Sequence, residues 1–157
     1  MRFRQRLANI IRKNPFLMRI AYQSYKLIQP KYSIGVVAVV LNDKEEVLLV
    51  EHVFHPKLPW GLPGGWIGYN EDPSITAQRE LQEELGLIVE VDVLLLTERT
   101  QNHHLDFAYL CTAKSDITTL SYELLQYAWF SYDNLPPLHS FHYHAIEATF
   151  ALIKAKE

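Results

Sequence analysis

The stretch GGWIGYNEDPSITAQRELQEELGL, Gly64 to Leu87, crowds three glutamates, Glu80, Glu83 and Glu84, into five residues of a predicted helix. Asp72 is a good N-cap residue, Pro73 suits the first helical position, and Gly86 suits the residue just past the end. At about 100° per residue, Ile75, Ala77, Leu81 and Leu85 form one apolar stripe. The three carboxylates cluster roughly 130° from the centre of that stripe. The leucines are expected to anchor the helix on a core while the glutamates project together to one side.

Like charges three and four residues apart, as in Glu80–Glu83 and Glu80–Glu84, destabilise an exposed helix by roughly 0.2–0.5 kcal/mol each. Crowding alone therefore proves nothing, and a solvated acidic face is the plain reading. The preceding loop points further. Gly64-Gly65 can bring bare backbone carbonyls close to an ion, because no side chain intervenes. Hard divalent cations take oxygen ligands, usually a few carboxylates completed by water and substrate phosphates. A carboxylate cluster beside a glycine turn meets that need.

Outward from this stretch the chain has two textures. Met1 to Lys31 holds eight Lys/Arg (Arg2, Arg4, Arg6, Arg12, Lys13, Arg19, Lys26, Lys31) and no acid, whereas the remainder sets 7 basic residues against 18 acidic ones. The asymmetry marks a basic arm, residues 1–30, attached to an acidic domain, residues 31–157. In the arm Phe3, Leu7, Ile10 and Ile11 recur at helical spacing between arginines. Asn14-Pro15 opens a second helix whose apolar positions are Leu17, Ile20, Ala21 and Leu27–Ile28, and Gln29-Pro30 ends it. The two amphipathic helices are expected to pack on the acidic domain or on a second copy in a homodimer. Docking on anionic lipid or RNA is the alternative.

From Tyr32 onward, YSIGVVAVVLN suits a buried strand, NDKE a turn, and EVLLVEHV a second strand. Phe54–Gly65 reads as loop with a short strand near Trp60. After the glutamate helix, LIVEVDVLLLTERT, LDFAYLCTAK and QYAWF read as strands, and HYHAIEATFALIKAKE closes as an amphipathic helix. This order predicts a mixed α/β domain with helices packed on a sheet that is not uniformly parallel. At 157 residues, 48% apolar and 21% charged, the chain suffices for one core and is not disordered. The longest apolar runs, Ile34–Leu41 and Val47–Val50, are too short to span a bilayer. A single cysteine, Cys111, excludes a disulfide within the chain, and no secretory signal is visible, so a reducing cytoplasmic setting is expected.

Gly65, five residues, Glu71, seven residues, then Arg79-Glu80-Leu81-Gln82-Glu83-Glu84-Leu85-Gly86-Leu87 resembles the Nudix box at every specified position. The resemblance runs from Tyr32 to the C-terminus and leaves the arm outside. It implies an alpha/beta/alpha sandwich with a mixed sheet. It also implies a metal-dependent hydrolase that cleaves a diphosphate bond in a nucleoside diphosphate linked to another moiety. Mg²⁺ or Mn²⁺ would be held by Glu80, Glu83, Glu84 and the carbonyl of Gly64. Glu123, six residues before Trp129, resembles the position of a further metal-binding carboxylate. Glu80 stands where some family members place the general base, although a metal-bound carboxylate is a weak one. Arg79 and Glu71 look like an orienting pair.

The substrate is less legible. Ile88–Ala108 contains neither the proline associated with ADP-ribose pyrophosphatases nor the tyrosine associated with dinucleoside polyphosphate hydrolases. A nucleoside triphosphate or nucleotide sugar is the default expectation, with a lipid diphosphate or an RNA 5′ end as the arm-led alternative. A non-catalytic nucleotide-binding module is the reading from another class. Trp60, Tyr69 and Phe54 are placed to stack on a planar group, and His103 or His104 to reach a phosphate. Simple packing and solvation are their plain alternatives.

Overall fold

The computed structural model describes residues 2–155 and divides into two units between Lys31 and Tyr32. In the first unit, α1 (Arg2–Lys13) and α2 (Pro15–Ile28) meet at Asn14, whose N–H donates to the Ile11 carbonyl at 3.1 Å. Pro15 opens α2 with its fixed φ, and Gln29, in extended backbone, closes it. The side chains of Phe3, Leu7, Ile10 and Leu17, named above as apolar positions, lie outside the described residues.

The second unit begins with β1 (Ser33–Val40) and β2 (Val47–His52), the two strands with the longest buried runs. Their near-continuous burial has a simple cause: both faces are covered. Val37, Val39, Val47 and Leu49 point into one cluster with Phe141, Ala145 and Ile146 of α4 (Ser140–Lys154). Ala38, Val40, Leu48 and Val50 point the other way, onto Leu81 and Leu85 of α3 (Pro73–Leu85). Period-two alternation thus assigns neighbouring residues to opposite cores, and the two helices enclose the strands.

The strands form the mixed sheet expected and a second, antiparallel one beside it. One has the order β4-β1-β6-β5, comprising β4 (Gly64–Trp66), β5 (Val89–Gln101) and β6 (His104–Ala113), with β1 and β6 parallel. The other is antiparallel, β3-β2-β7, with β3 (Trp60–Gly61) and β7 (Leu124–Phe130). β1 and β2 diverge straight after their turn, where the Leu41–Val47 bridge joins them. The segment predicted as loop crosses between the sheets instead. Gly61 pairs with Val50, the Pro63 carbonyl accepts the Ala38 N–H at 2.9 Å, and Gly64 pairs with Val37. This crossing delivers Gly64 and Gly65 to the end of α3.

The ends of α3 follow local chemistry. Asp72 accepts from the Ser74 N–H at 2.9 Å and the Ser74 hydroxyl at 2.6 Å. Gly86 takes the left-handed conformation at φ 62°, and its N–H and that of Leu87 close on the Gln82 and Leu81 carbonyls. Leu81 is fully buried beneath the helix. Leu81→Ala is expected to lower the unfolding free energy by about 2–5 kcal/mol in urea titrations; an unchanged midpoint would contradict this placement of the core.

Candidate active site

The crossing segment and α3 meet at Gly64. Glu84 is 7% exposed, and its Oε2 accepts the Gly64 N–H at 3.0 Å. Gly64 has φ 154°, and a Cβ there would stand 2.1 Å from the Val36 carbonyl oxygen, so only glycine fits. At Gly65 a Cβ would lie 2.4 Å from the carboxyl carbon of Glu80. The two glycines therefore lay bare backbone against two carboxylates. Sequence reasoning expected the Gly64 carbonyl to face an ion; the contact seen at Gly64 is its amide on Glu84.

The electrostatic result is severe for Glu84. Burial, opposed by the Gly64 N–H and reinforced by the charges of Glu80, Glu123 and Glu83, pushes its carboxyl up to about 8. Glu80 is also shifted upward, by desolvation first, with Arg79 pulling the other way. The three glutamates are thus unequal. Glu84 is buried, the Glu80 side chain is 14% exposed, and that of Glu83 is 60% exposed.

Arg79 ties the cluster together by using all five of its N–H donors. Nε and Nη2 fork onto Glu71 at 2.9 and 3.1 Å, and Nη1 bridges Glu80 at 2.8 Å and Glu83 at 3.0 Å. The second Nη2 donor reaches the Trp66 carbonyl at 3.0 Å. Glu71 accepts in addition from the Gly68 N–H at 2.7 Å and the Thr76 hydroxyl at 2.9 Å. The Arg79 hydrogen bonds, then that of Gly68, hold the Glu71 carboxyl down to about 2, and Arg79 is shifted further above its ordinary range.

Glu123 enters from the segment before β7, which is fastened to α3. The Ser121 N–H donates to the Glu84 carbonyl at 2.8 Å, and the Glu123 carbonyl accepts the Val53 N–H at 2.9 Å. Glu80, Glu84 and Glu123 then line one open cleft of about 360 Å³ with Gly64, Gly65, Trp66, Phe54, His52 and His55. Among the described residues no three carboxylate, imidazole or thiol groups converge closely enough to enclose an ion unaided.

The cleft continues along β1 to His142, His104 and Asp106. His142 accepts the Leu62 N–H on Nδ1 at 2.9 Å, which leaves the ring proton on Nε2. Burial and neighbouring imidazoles lower both His52 and His142 to about 4, so both rings are neutral at pH 7. His104 stands between the Ser33 hydroxyl, at 2.7 Å, and Asp106, at 3.1 Å, and its ring lies 4.9 Å from that of Trp66. Thr100 hydrogen-bonds the other Asp106 oxygen.

Of the residues singled out for substrate contact, His104 and Phe54 line this cleft; Trp60, Tyr69 and His103 do not. Trp60 meets Phe130 edge-on at 5.0 Å and packs on the core, because its strand joins β2. Tyr69 is 97% exposed in the turn before α3. His103, at φ 59°, turns the β5–β6 hairpin beside Tyr32. Sequence reasoning missed Trp66, His52, His55 and Asp106; the charge of Asp106 inside a β-rich run was the one available signal. Gly35 matches it, since a Cβ there would meet Asp106 Oδ1 at 2.2 Å.

The family model described as the NUDIX domain matches residues 31–149. The chain belongs to the Nudix family. Similar proteins include the mouse "8-oxo-dGDP phosphatase NUDT18", 31% identical over 106 residues, 64% of this chain and 33% of that protein. The "MutT-like protein" of Streptomyces ambofaciens is 27% identical over 107 residues, 68% of each chain. This Nudix chain therefore spans about a third of the mouse relative's length. Among solved structures, the MutT NUDIX hydrolase of Burkholderia pseudomallei superposes with a TM-score of 0.66 at 27% identity, covering 75% of this chain and 98% of that one. Nudix hydrolases generally use divalent metal ions.

The shift of Glu84 makes a signed prediction for the metal-free protein. Its folded value of about 8 lies above the ordinary 4.5, so folding favours the protonated form. The group is harmless below pH 4.5 and progressively destabilises the fold as pH rises toward 8. Glu84→Gln, in chelator, is expected to raise Tm by about 5–10 °C at pH 8 and to leave it nearly unchanged at pH 5. An equal effect at both pH values, or a lower Tm at pH 8, would contradict it.

Proposed function

We propose that this protein is a divalent-metal-dependent hydrolase that cleaves a diphosphate bond in a nucleoside diphosphate linked to another group, by attack of water at phosphorus. The observation that carries this reading is the buried Glu84 carboxyl, faced by Glu80 and Glu123 across one cleft. A buried carboxylate among like charges costs several kcal/mol, on the order of 3–5, unless a cation compensates it. The donor set is all oxygen, which suits Mg²⁺ or Mn²⁺, and its open geometry suits an ion completed by phosphate oxygens and water.

Glu80, Glu84 and Glu123, with the Gly64 carbonyl, are the groups we assign to hold the metal, and Glu83 joins them when it leaves Arg79. Such an ion, when bound, neutralises diphosphate oxygens and acidifies water. Arg79 and Glu71 keep the ligands oriented before substrate arrives, which lowers the reorganisation needed at the reacting centre. Glu80 keeps a hydrogen bond from Arg79 on Oε1, which leaves its other oxygen for the metal; Glu80 serves as base only for a water that the metal has acidified. Trp66 and Phe54, both exposed at the cleft, offer faces for a planar group. The neutral imidazoles of His52 and His142 suit a nucleoside or sugar better than a further phosphate. A nucleoside triphosphate or nucleotide sugar fits this division, with residues 31–157 as the hydrolase domain and residues 1–30 as a separate basic arm.

Phosphate release with Mg²⁺ or Mn²⁺, with and without added phosphatase, tests the reading across nucleoside triphosphates, nucleotide sugars, dinucleotides and lipid diphosphates. One nucleotide class is expected to turn over, with Glu84→Gln lowering kcat about a hundredfold or more and Trp66→Ala raising KM at nearly unchanged kcat. Metal binding without turnover of any member that Glu84→Gln abolishes would overturn the hydrolase in favour of a nucleotide-binding module.

A further inference from the structure

The arm presents a surface that the hydrolase reading leaves unused. On α2, Phe16, Met18, Ile20, Tyr22, Tyr25, Leu27 and Ile28 are each between 48% and 80% exposed. Single exposed apolar residues are ordinary, but seven large ones on a 14-residue helix form a contiguous patch of the kind that marks a docking face. At about 100° per residue, Phe16, Leu27, Ile20, Ile28 and Tyr25 lie around one side of the helix, with Ser24 the one exposed polar residue among them. Arg19, Lys26 and Gln23 occupy the opposite narrow side. Tyr22 lies between the two, with the Lys26 ammonium 5.0 Å from its ring centre. In α1 the sequence sets Phe3, Leu7, Ile10 and Ile11 at helical spacing among five Lys/Arg. No acidic residue occurs before Asp43.

We infer that the arm docks this protein on the surface of a bilayer containing anionic lipid, α2 lying in the headgroup region with its apolar arc turned to the acyl chains. Two properties of the surface select this occupant. Its charge is uniformly positive, which attracts acidic headgroups at short range. Its apolar arc is wide and bordered along one edge by Tyr25 and Tyr22, residues of the type that favours the boundary between water and hydrocarbon. RNA would satisfy the cations but leave the aliphatic side chains in water. A second copy would cover the apolar arc but bring seven cations against seven. The geometry also excludes spanning. Fourteen residues reach only about 21 Å, and no described helix is long and apolar enough to cross a membrane.

Co-sedimentation of the full chain with phosphatidylcholine vesicles, with and without phosphatidylserine, tests the inference independently of any substrate. Binding is expected only to the phosphatidylserine vesicles and is expected to weaken in high salt. Arg19→Glu with Lys26→Glu, and separately Leu27→Asp with Ile28→Asp, are each expected to lower partitioning about tenfold or more. These positions are exposed, so circular dichroism and turnover of a water-soluble substrate should match the parent protein. Failure of the parent to bind phosphatidylserine vesicles, or binding by either variant equal to that of the parent, would overturn the inference. So would a parent dimer that the aspartate variant dissociates, or RNA binding that survives the aspartates and is lost with the glutamates.

Discussion

The hydrogen bond from the Gly64 N–H to Glu84 joins the two halves of the site, and the rest of the domain makes it available. It needs a glycine where any Cβ would strike the Val36 carbonyl, so the crossing segment can lie tight against β1. It needs α3 seated deeply enough to bury a carboxylate, which the fully buried Leu81 and Leu85 provide. One neutral donor does not offset that burial, and the carboxyl is left well above its ordinary range. The fold thus holds an electrostatic cost at one point, and a divalent cation is the species that would remove it.

Around this point the site is built to keep like charges together. Arg79 spreads one positive charge over Glu71, Glu80 and Glu83, with its last donor on the Trp66 backbone. Glu71 is saturated by donors and acts as an anchor, whereas Glu80 and Glu84 are the carboxylates left under-compensated. The division of labour follows from placement: the anchor sits in the turn before α3, and the under-compensated pair sits one helical turn apart on its buried side. The crossing between two sheets explains why both glycines are needed, since a longer route would not bring backbone to the carboxylates.

Much of this was legible from residues whose partners are close in sequence. The caps of α3 at Asp72, Pro73 and Gly86 and the stripe of Leu81 and Leu85 are local chemistry, and local chemistry is what a sequence displays. The pairing of Arg79 with Glu71 was readable through the family resemblance and needs only eight residues of separation. What was hidden depends on partners far along the chain. The resemblance marks Glu84 as a metal-side carboxylate together with Glu80 and Glu83, but that it alone is buried, with its donor on the amide of Gly64 twenty residues earlier, is not displayed locally. Trp60 reads as a loop aromatic until Phe130 packs on it, and His142 as a helix-start histidine until Leu62, 80 residues away, fixes its tautomer. The second, antiparallel sheet was hidden beside the expected mixed one because the divergence of β1 from β2 is set by their outer partners, not by the turn between them.

The most direct test of the account is calorimetric titration of the protein with Mg²⁺ or Mn²⁺ at pH 7 in buffers of different ionisation enthalpy, which counts the protons released on binding. With Glu84 protonated at neutral pH and acting as a ligand, about one proton should leave per protein on metal binding at pH 7. The number should fall toward zero as the pH is raised above 8, the value at which the free carboxyl ionises. Binding with no proton release at pH 7, or proton release unchanged in Glu84→Gln, would contradict the central claim that Glu84 is the buried carboxyl that the metal compensates.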